Sequence, residues 1–119
     1  MATDGFGGMV GLRAEERHDG TARVVLDAGE QHLNGHGTVH GGAIATLVDM
    51  AMGMAVVSAD DEAHPATIEM KVMYLEPGEA GELVATATVR RKGGRISIVE
   101  AEVTQGERVV ALALSTFHN

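Results

Sequence analysis

The chain has 119 residues, one domain's worth, and carries 17 acidic against 9 basic side chains for a net charge of −8. That balance excludes the basic surface on which a nucleic-acid binder depends, and a sequence without cysteine excludes a disulfide scaffold or a thiolate metal site. With 45% apolar but only 3% aromatic residues, the core of a globular domain here must be built from Val, Ala, Leu, Ile and Met. A core of this size is only moderately deep, so self-association is an expected way to bury more surface.

Residues 1–11 lack the basic start and continuous apolar run of a leader peptide, which points to a cytoplasmic protein. Residues 9–16 and 21–27 read as two short strands around the turn His18-Asp19-Gly20, with Ala22, Val24 and Leu26 alternating against Arg23, Val25 and Asp27. Residues 28–40 contain Gly29, Gly35, Gly37 and Asn34 and predict a structured loop. Residues 41–58 are dense in Ala, Leu and Met, good helix formers over a length that exceeds an ordinary strand. Apolar side chains occupy every face of this segment, which predicts a helix buried all round. The carboxylate of Asp49 at its centre and the acidic flank Asp60-Asp61-Glu62 argue against a membrane span.

Everything after Pro65 reads as strand. Ile68, Met70, Val72 and Tyr74 alternate with Thr67, Glu69, Lys71 and Met73; after the turn Glu76-Pro77-Gly78, Leu83, Ala85, Ala87 and Val89 form the next set. Lys92-Gly93-Gly94 is a hairpin turn. The apolar phase then moves from Ile96 and Ile98 to Val99, Ala101 and Val103, which predicts a bulge in that strand. A final strand spans residues 109–117. One helix followed by an antiparallel meander predicts an α+β domain over residues 1–119, a curved antiparallel sheet around one long central helix with residues 1–8 as a short lead-in.

The lone acid is the most informative residue. A carboxylate on an apolar helix is costly to bury unless it is hydrogen-bonded, and in a cleft it becomes a general base or nucleophile. Upstream, Gly41 and Gly42 stand at the helix start, where bare backbone N–H groups and the helix dipole suit an anion or the oxyanion of a reacting carbonyl. Eight residues separate Gly41 from Asp49, about 12 Å along a helix. One helix does not bring both groups to a single carbon, so the spacing predicts an active site shared between two chains. His32, His36 and His40 recur every four residues, the spacing of a helical metal stripe, but the glycines between them break any helix and no metal site is expected.

Asn34, then His40-Gly41-Gly42, then Leu47-Val48-Asp49, at spacings of six and nine residues, resemble the hotdog-fold thioesterases, particularly the phenylacetate-degradation type. The similarity continues through Pro65-Ala66-Thr67-Ile68-Glu69-Met70, Tyr74-Leu75-Glu76-Pro77 and the last strand. The resemblance implies hydrolysis of an aromatic or short- to medium-chain acyl-CoA to the free acid and coenzyme A, with coenzyme A as part of the substrate and no separate cofactor. It implies that Asp49 is the nucleophile or general base and that the Gly41 N–H polarises the thioester carbonyl. Asn34 would position the water or the leaving sulfur, His40 would support the loop and the carbonyl contact, and Thr67 would orient water. The assembly would be a homodimer or a dimer of dimers with active sites at the dimer interface.

Arg90, Arg91, Lys92 and Arg95 gather four of the nine basic side chains around Gly93 and Gly94, and beside such an activity they suit the phosphates of coenzyme A. Gly42, Met50 and Met54 complete the expected substrate-binding set, the methionines as adaptable lining of an acyl pocket. Relatives often carry a helix before the first strand; the N-terminus here is shorter than in many of them, and Phe6 and Met9 are the residues that could close the acyl pocket. A non-catalytic acyl-CoA-binding module of the same fold is the alternative, and Asp49 argues against it because a pure binder gains nothing from a desolvated acid.

Overall fold

Nine elements follow one another in the computed structural model, which describes residues 5–119. They are α1 (Gly5–Val10), β1 (Leu12–His18), β2 (Thr21–Ala28), a 3-10 turn (Glu30–His32), α2 (Gly41–Ala59), β3 (Ala66–Tyr74), β4 (Gly81–Lys92), β5 (Ile96–Gln105) and β6 (Arg108–His118). All six strands join one antiparallel sheet in the order β1-β2-β4-β5-β6-β3. The hairpin-connected run β4-β5-β6 forms its middle. The β1-β2 hairpin extends one side, and β3, the strand that follows the helix directly, lies at the far edge.

Helix α2 lies across one face of this sheet. Ile44, Leu47, Val48, Ala51, Met52, Ala55 and Val56 recur at three- and four-residue steps and are buried. Opposite them sit the inward positions of the strands, among them Val24, Leu26, Leu83, Ala85, Ala87, Val99, Val103, Ala111 and Phe117. Small residues at many of these positions let the sheet approach the helix closely, so a core almost free of aromatics still packs. At the helix C-terminus the Ser58 hydroxyl accepts from Gly20 N–H at 2.8 Å, tying α2 to the β1-β2 turn.

Three expectations need correction. The chain before the first strand is helical: Met9 and Val10 belong to α1, and β1 starts at Leu12, because Gly11 at φ +95° ends the helix in a conformation that other residues rarely adopt. Helix α2 is not buried all round. Its second face, Ala45, Thr46, Asp49, Met50, Gly53 and Val57, is only half-buried in one chain, since the sheet covers a single stripe.

The bulge beside Val99 belongs to β4, not β5. Val89 pairs with Val99 and Arg91 with Ile98, which leaves Arg90 as the extra residue. β5 keeps strict alternation with Ser97, Val99, Ala101 and Val103 buried, and Ile96 and Ile98 face outward. Hydrophobicity misled here because a serine holds an inward position, where its hydroxyl bonds Asn119 Oδ1 at 2.5 Å.

Candidate active site

Asp49 projects from the open face of α2 toward β3, where the Thr67 hydroxyl donates to its Oδ1 at 2.6 Å. The other carboxylate oxygen has no partner among the described residues. A second irregularity in the sheet makes the contact possible. Thr67 pairs with Phe117 and Glu69 with Thr116, so Ile68 is an extra residue in β3. In a regular strand Thr67 would share the outward face with Glu69 and Lys71. The bulge reverses its phase, so Thr67 faces the helix and Ile68 is turned out to 55% exposure. Phe6, Ala45, Thr46 and Met70 complete a cleft of about 300 Å³ around Asp49 and Thr67. The walls are mainly apolar, the setting in which a carboxylate and a few polar groups act strongly on a bound carbonyl.

At the helix entry His40 is the N-cap, and its Nδ1 accepts from Gly42 N–H at 2.8 Å. The expectation of two bare glycine donors is therefore corrected: the Gly42 donor is used, and only Gly41 N–H is left without a partner among the described residues. Its position at the start of a nineteen-residue helix adds the positive end of the dipole. The Gly41 carbonyl accepts from the Tyr74 hydroxyl at 2.9 Å. Gly42 also lines a neighbouring cleft of about 330 Å³ with Phe6, Met9, His32, His40 and Thr46. Phe6 and Thr46 thus border both clefts.

Asn34 shares no hydrogen bond with Asp49 among the described residues and organises its own loop. Its Oδ1 accepts from His36 N–H at 2.8 Å and Thr38 N–H at 3.2 Å, and its Nδ2 donates to Thr38 Oγ1 at 2.8 Å. His32 is buried, with Nδ1 accepting from Gly29 N–H at 2.9 Å and Nε2 bonded to the Val10 carbonyl, so it fastens α1 to the loop. With His40 engaged as a cap and His36 exposed, the three histidines hold separate posts. No group of three metal-ligating side chains gathers among the described residues.

The basic hairpin lies at the same end of the sheet as Thr67. Ser97 and Thr67 both pair with Phe117 of β6, and Ile96 and Ala66 both pair with His118. Two of its four cations are partnered, Arg90 with Glu100 at 3.4 Å and Lys92 with Asp60 at 3.7 Å. Arg91 and Arg95 have no acidic partner among the described residues, and they border a shallow depression with Gly93, Gly94, Ile96 and Ile98. Gly93 is required by the turn, since a Cβ there would meet the Ile96 carbonyl oxygen at 2.6 Å. Met50 lies under α1, its Cε 2.9 Å from where a Gly7 Cβ would stand, and Met54 packs against the core. Neither borders the cleft at Asp49, where Met70 does. Sequence reasoning overlooked Thr46 and Tyr74 as site residues. Thr46 carried a signal, as a polar residue three positions before Asp49 in an apolar helix; Tyr74 stood in a stretch that carries the resemblance, but its contact with Gly41 depends on where β3 crosses the helix entry.

The sequence pattern of the thioesterase superfamily matches residues 36–112, a segment that contains Gly41, Asp49 and Thr67. The acyl-coenzyme A thioesterase PaaI of Escherichia coli is 33% identical over 111 residues, 92% of this chain and 78% of that protein. Its solved structure, from the phenylacetic acid degradation operon, superposes with a TM-score of 0.88 at 31% identity, covering 94% of this chain and 81% of that one. A conserved protein of Pseudomonas aeruginosa superposes with a TM-score of 0.94 at 35% identity, over 97% and 93% of the two chains. Human acyl-coenzyme A thioesterase 13 is 36% identical over 76 residues, 63% of this chain, and the match spans 54% of the human protein. A Halobacterium salinarum relative, 40% identical over 100 residues and 79% of this chain, is spanned over 66% of its length. With its curved six-stranded sheet around one helix and an acid-hydroxyl pair on that helix's open face, this chain belongs to the thioesterase superfamily and has the hotdog fold.

Proposed function

We propose that the chain hydrolyses the thioester of an aromatic or short- to medium-chain acyl-CoA, as a cytoplasmic homodimer or dimer of dimers. The observation that carries the reading is the Asp49–Thr67 pair beside an apolar cleft, together with a Gly41 N–H on the same helix that has no partner among the described residues. About 12 Å of helix separates the two groups, so the Gly41 N–H of one subunit serves the Asp49 of another. The exposed edge strand β3, which presents Ile68, Tyr74 and the following Leu75, supplies a surface for that association.

In the water route, Asp49 accepts a proton from water held by the Thr67 hydroxyl, and the oxygen attacks the thioester carbon. The Gly41 N–H takes the oxyanion; collapse breaks the C–S bond, and the proton on Asp49 passes to the departing thiolate. In the covalent route Asp49 itself attacks the thioester carbon, the C–S bond breaks and coenzyme A departs as its thiolate; water then cleaves the mixed anhydride to the free acid and the Asp49 carboxylate, and the proton released neutralises the thiolate. Arg91 and Arg95, without an acidic partner among the described residues, are the cations for the phosphates of coenzyme A, and Asn34 acts by holding the loop that ends in His40.

Thiol release from benzoyl-, phenylacetyl-, hexanoyl- and acetyl-CoA tests the assignment. Asp49→Ala should abolish turnover while leaving the circular dichroism spectrum and Tm intact. Full activity in that variant, or saturable acyl-CoA binding without turnover by the unmodified protein, would overturn the hydrolase reading; the second result would favour the binding module.

A further inference from the structure

We propose that Tyr74 is a positioning residue for the Gly41 N–H, and that it is the means by which the edge strand β3 sets the geometry of the oxyanion donor. The inference rests on the hydrolase reading and goes beyond it. The Tyr74 hydroxyl donates to the Gly41 carbonyl at 2.9 Å, and its ring covers the same glycine: a Cβ on Gly41 would stand 3.4 Å from both Cζ and the hydroxyl oxygen. Tyr74 is itself anchored, since it pairs with Ala111 and the next residue, Leu75, donates its N–H to the Val110 carbonyl at 2.8 Å. The tyrosine therefore transmits a sheet position to the first turn of the helix.

That turn needs such a hold. Gly41 and Gly42 follow one another without side chains to restrict them, and glycine is the residue freest to move out of helical geometry. From the loop side His40 restrains the pair, with its ring on Gly42 N–H and its carbonyl accepting from Ala43 N–H at 2.9 Å. From the sheet side Tyr74 holds the Gly41 carbonyl. Between these two restraints the Gly41 N–H, which shares a peptide plane with the held His40 carbonyl, has no partner among the described residues yet is fixed in direction, which is what a pre-organised donor requires. β3 then holds both ends of the chemistry, Thr67 at one end on Asp49 and Tyr74 at the other on Gly41.

Half of the Tyr74 surface is exposed in the single chain, so the hydroxyl is not needed to fill the core. Tyr74→Phe removes the donor and retains the ring. A donor that works only on the oxyanion affects the chemical step, so kcat should fall about tenfold, a fraction of the loss on deleting an oxyanion donor outright, while KM changes less than twofold. Amide hydrogen exchange at Gly42, Ala43 and Ile44 should quicken severalfold, with no change from Leu47 onward. Tm and the mass in solution should stay as in the unmodified protein.

Unchanged kcat and unchanged exchange at the first turn would overturn the proposal. So would a parallel loss of kcat, KM, Tm and oligomer mass, because the hydroxyl would then be a structural tie. If the unmodified protein turns over no acyl-CoA, the hydrolase reading fails on its own. The exchange measurement still decides whether Tyr74 orders the glycine turn.

Discussion

Thr67 works through one hydrogen bond, and its contribution is separable from its shape. Thr67→Val is nearly isosteric and removes the donor to Asp49 Oδ1. A hydrogen bond to a charged group contributes about 1.5–3 kcal/mol; if the contacts of the Thr67 hydroxyl strengthen as the water it holds gives up its proton, their loss predicts a ten- to hundredfold fall in kcat. Thr67→Ser should restore most of it, and steady-state kinetics on both variants checks the pair. The cations of the hairpin divide in the same residue-by-residue way. Arg90 and Lys92 are partnered by Glu100 and Asp60, whereas Arg91 and Arg95 have no acidic partner among the described residues. Arg91→Ala and Arg95→Ala are expected to raise KM for acyl-CoA severalfold and to flatten its dependence on ionic strength, with Arg90→Ala close to unmodified protein. An equal effect at Arg90 would mean that the ion pairs do not decide which cations reach the substrate. The sequence shows four cations around two glycines; which of them are free depends on Glu100 and Asp60, brought near only by strand pairing and by the end of α2.

The elements were legible where one periodicity dominates. Helix α2 and strands β2, β4 and β6 follow from hydrophobic pattern and turn residues, because each presents one apolar face to the same core. The bulges were not legible in place, since an extra residue is defined by the partner strand and not by the strand that holds it. Arg90 and Ile68 are exposed residues whose identity signals nothing, yet the second of them decides whether Thr67 meets Asp49. Helix α1 was missed for another reason: a six-residue segment with three glycines has little helical preference and is held by contacts such as the His32–Val10 bond. Its placement has a consequence for the acyl group. Phe6, 62% exposed, lines both the cleft at Asp49 and the one at Gly42, about 300 and 330 Å³. Phe6→Ala should join them and shift preference toward longer chains. With about 0.8 kcal/mol available per buried methylene, the ratio of kcat/KM for decanoyl- over hexanoyl-CoA should rise about tenfold or more. An unchanged ratio would show that the acyl chain does not enter between Phe6 and α2.

At the scale of the whole molecule, the strongest constraint is one that a single chain leaves unmet. Gly41 and Asp49 lie on one helix about 12 Å apart, while a reacting carbonyl needs its oxyanion donor and its attacking oxygen within a few ångströms. The second face of α2 is left half-open, and the edge strand β3 carries exposed Ile68, Tyr74 and Lys71 with no strand beyond it among the described residues. Pairing two copies so that each Gly41 meets the other's Asp49 would answer all three observations, and mixed assemblies test it without a structure of the complex. Gly41→Val introduces a side chain against the Tyr74 ring and should silence the donor side; Asp49→Ala silences the acid side. Each variant alone is expected to be inactive. In a mixed dimer one site inherits both lesions and the other inherits neither, so half of its sites work. Random association of equal amounts makes half of all dimers mixed, and co-refolding or co-expression should therefore recover about a quarter of unmodified activity by this two-site arithmetic. If both groups acted from the same chain, every site would carry one lesion and the mixture would stay inactive. Recovery near a quarter, in material whose mass is that of a dimer or a dimer of dimers, would place the catalytic centre between subunits.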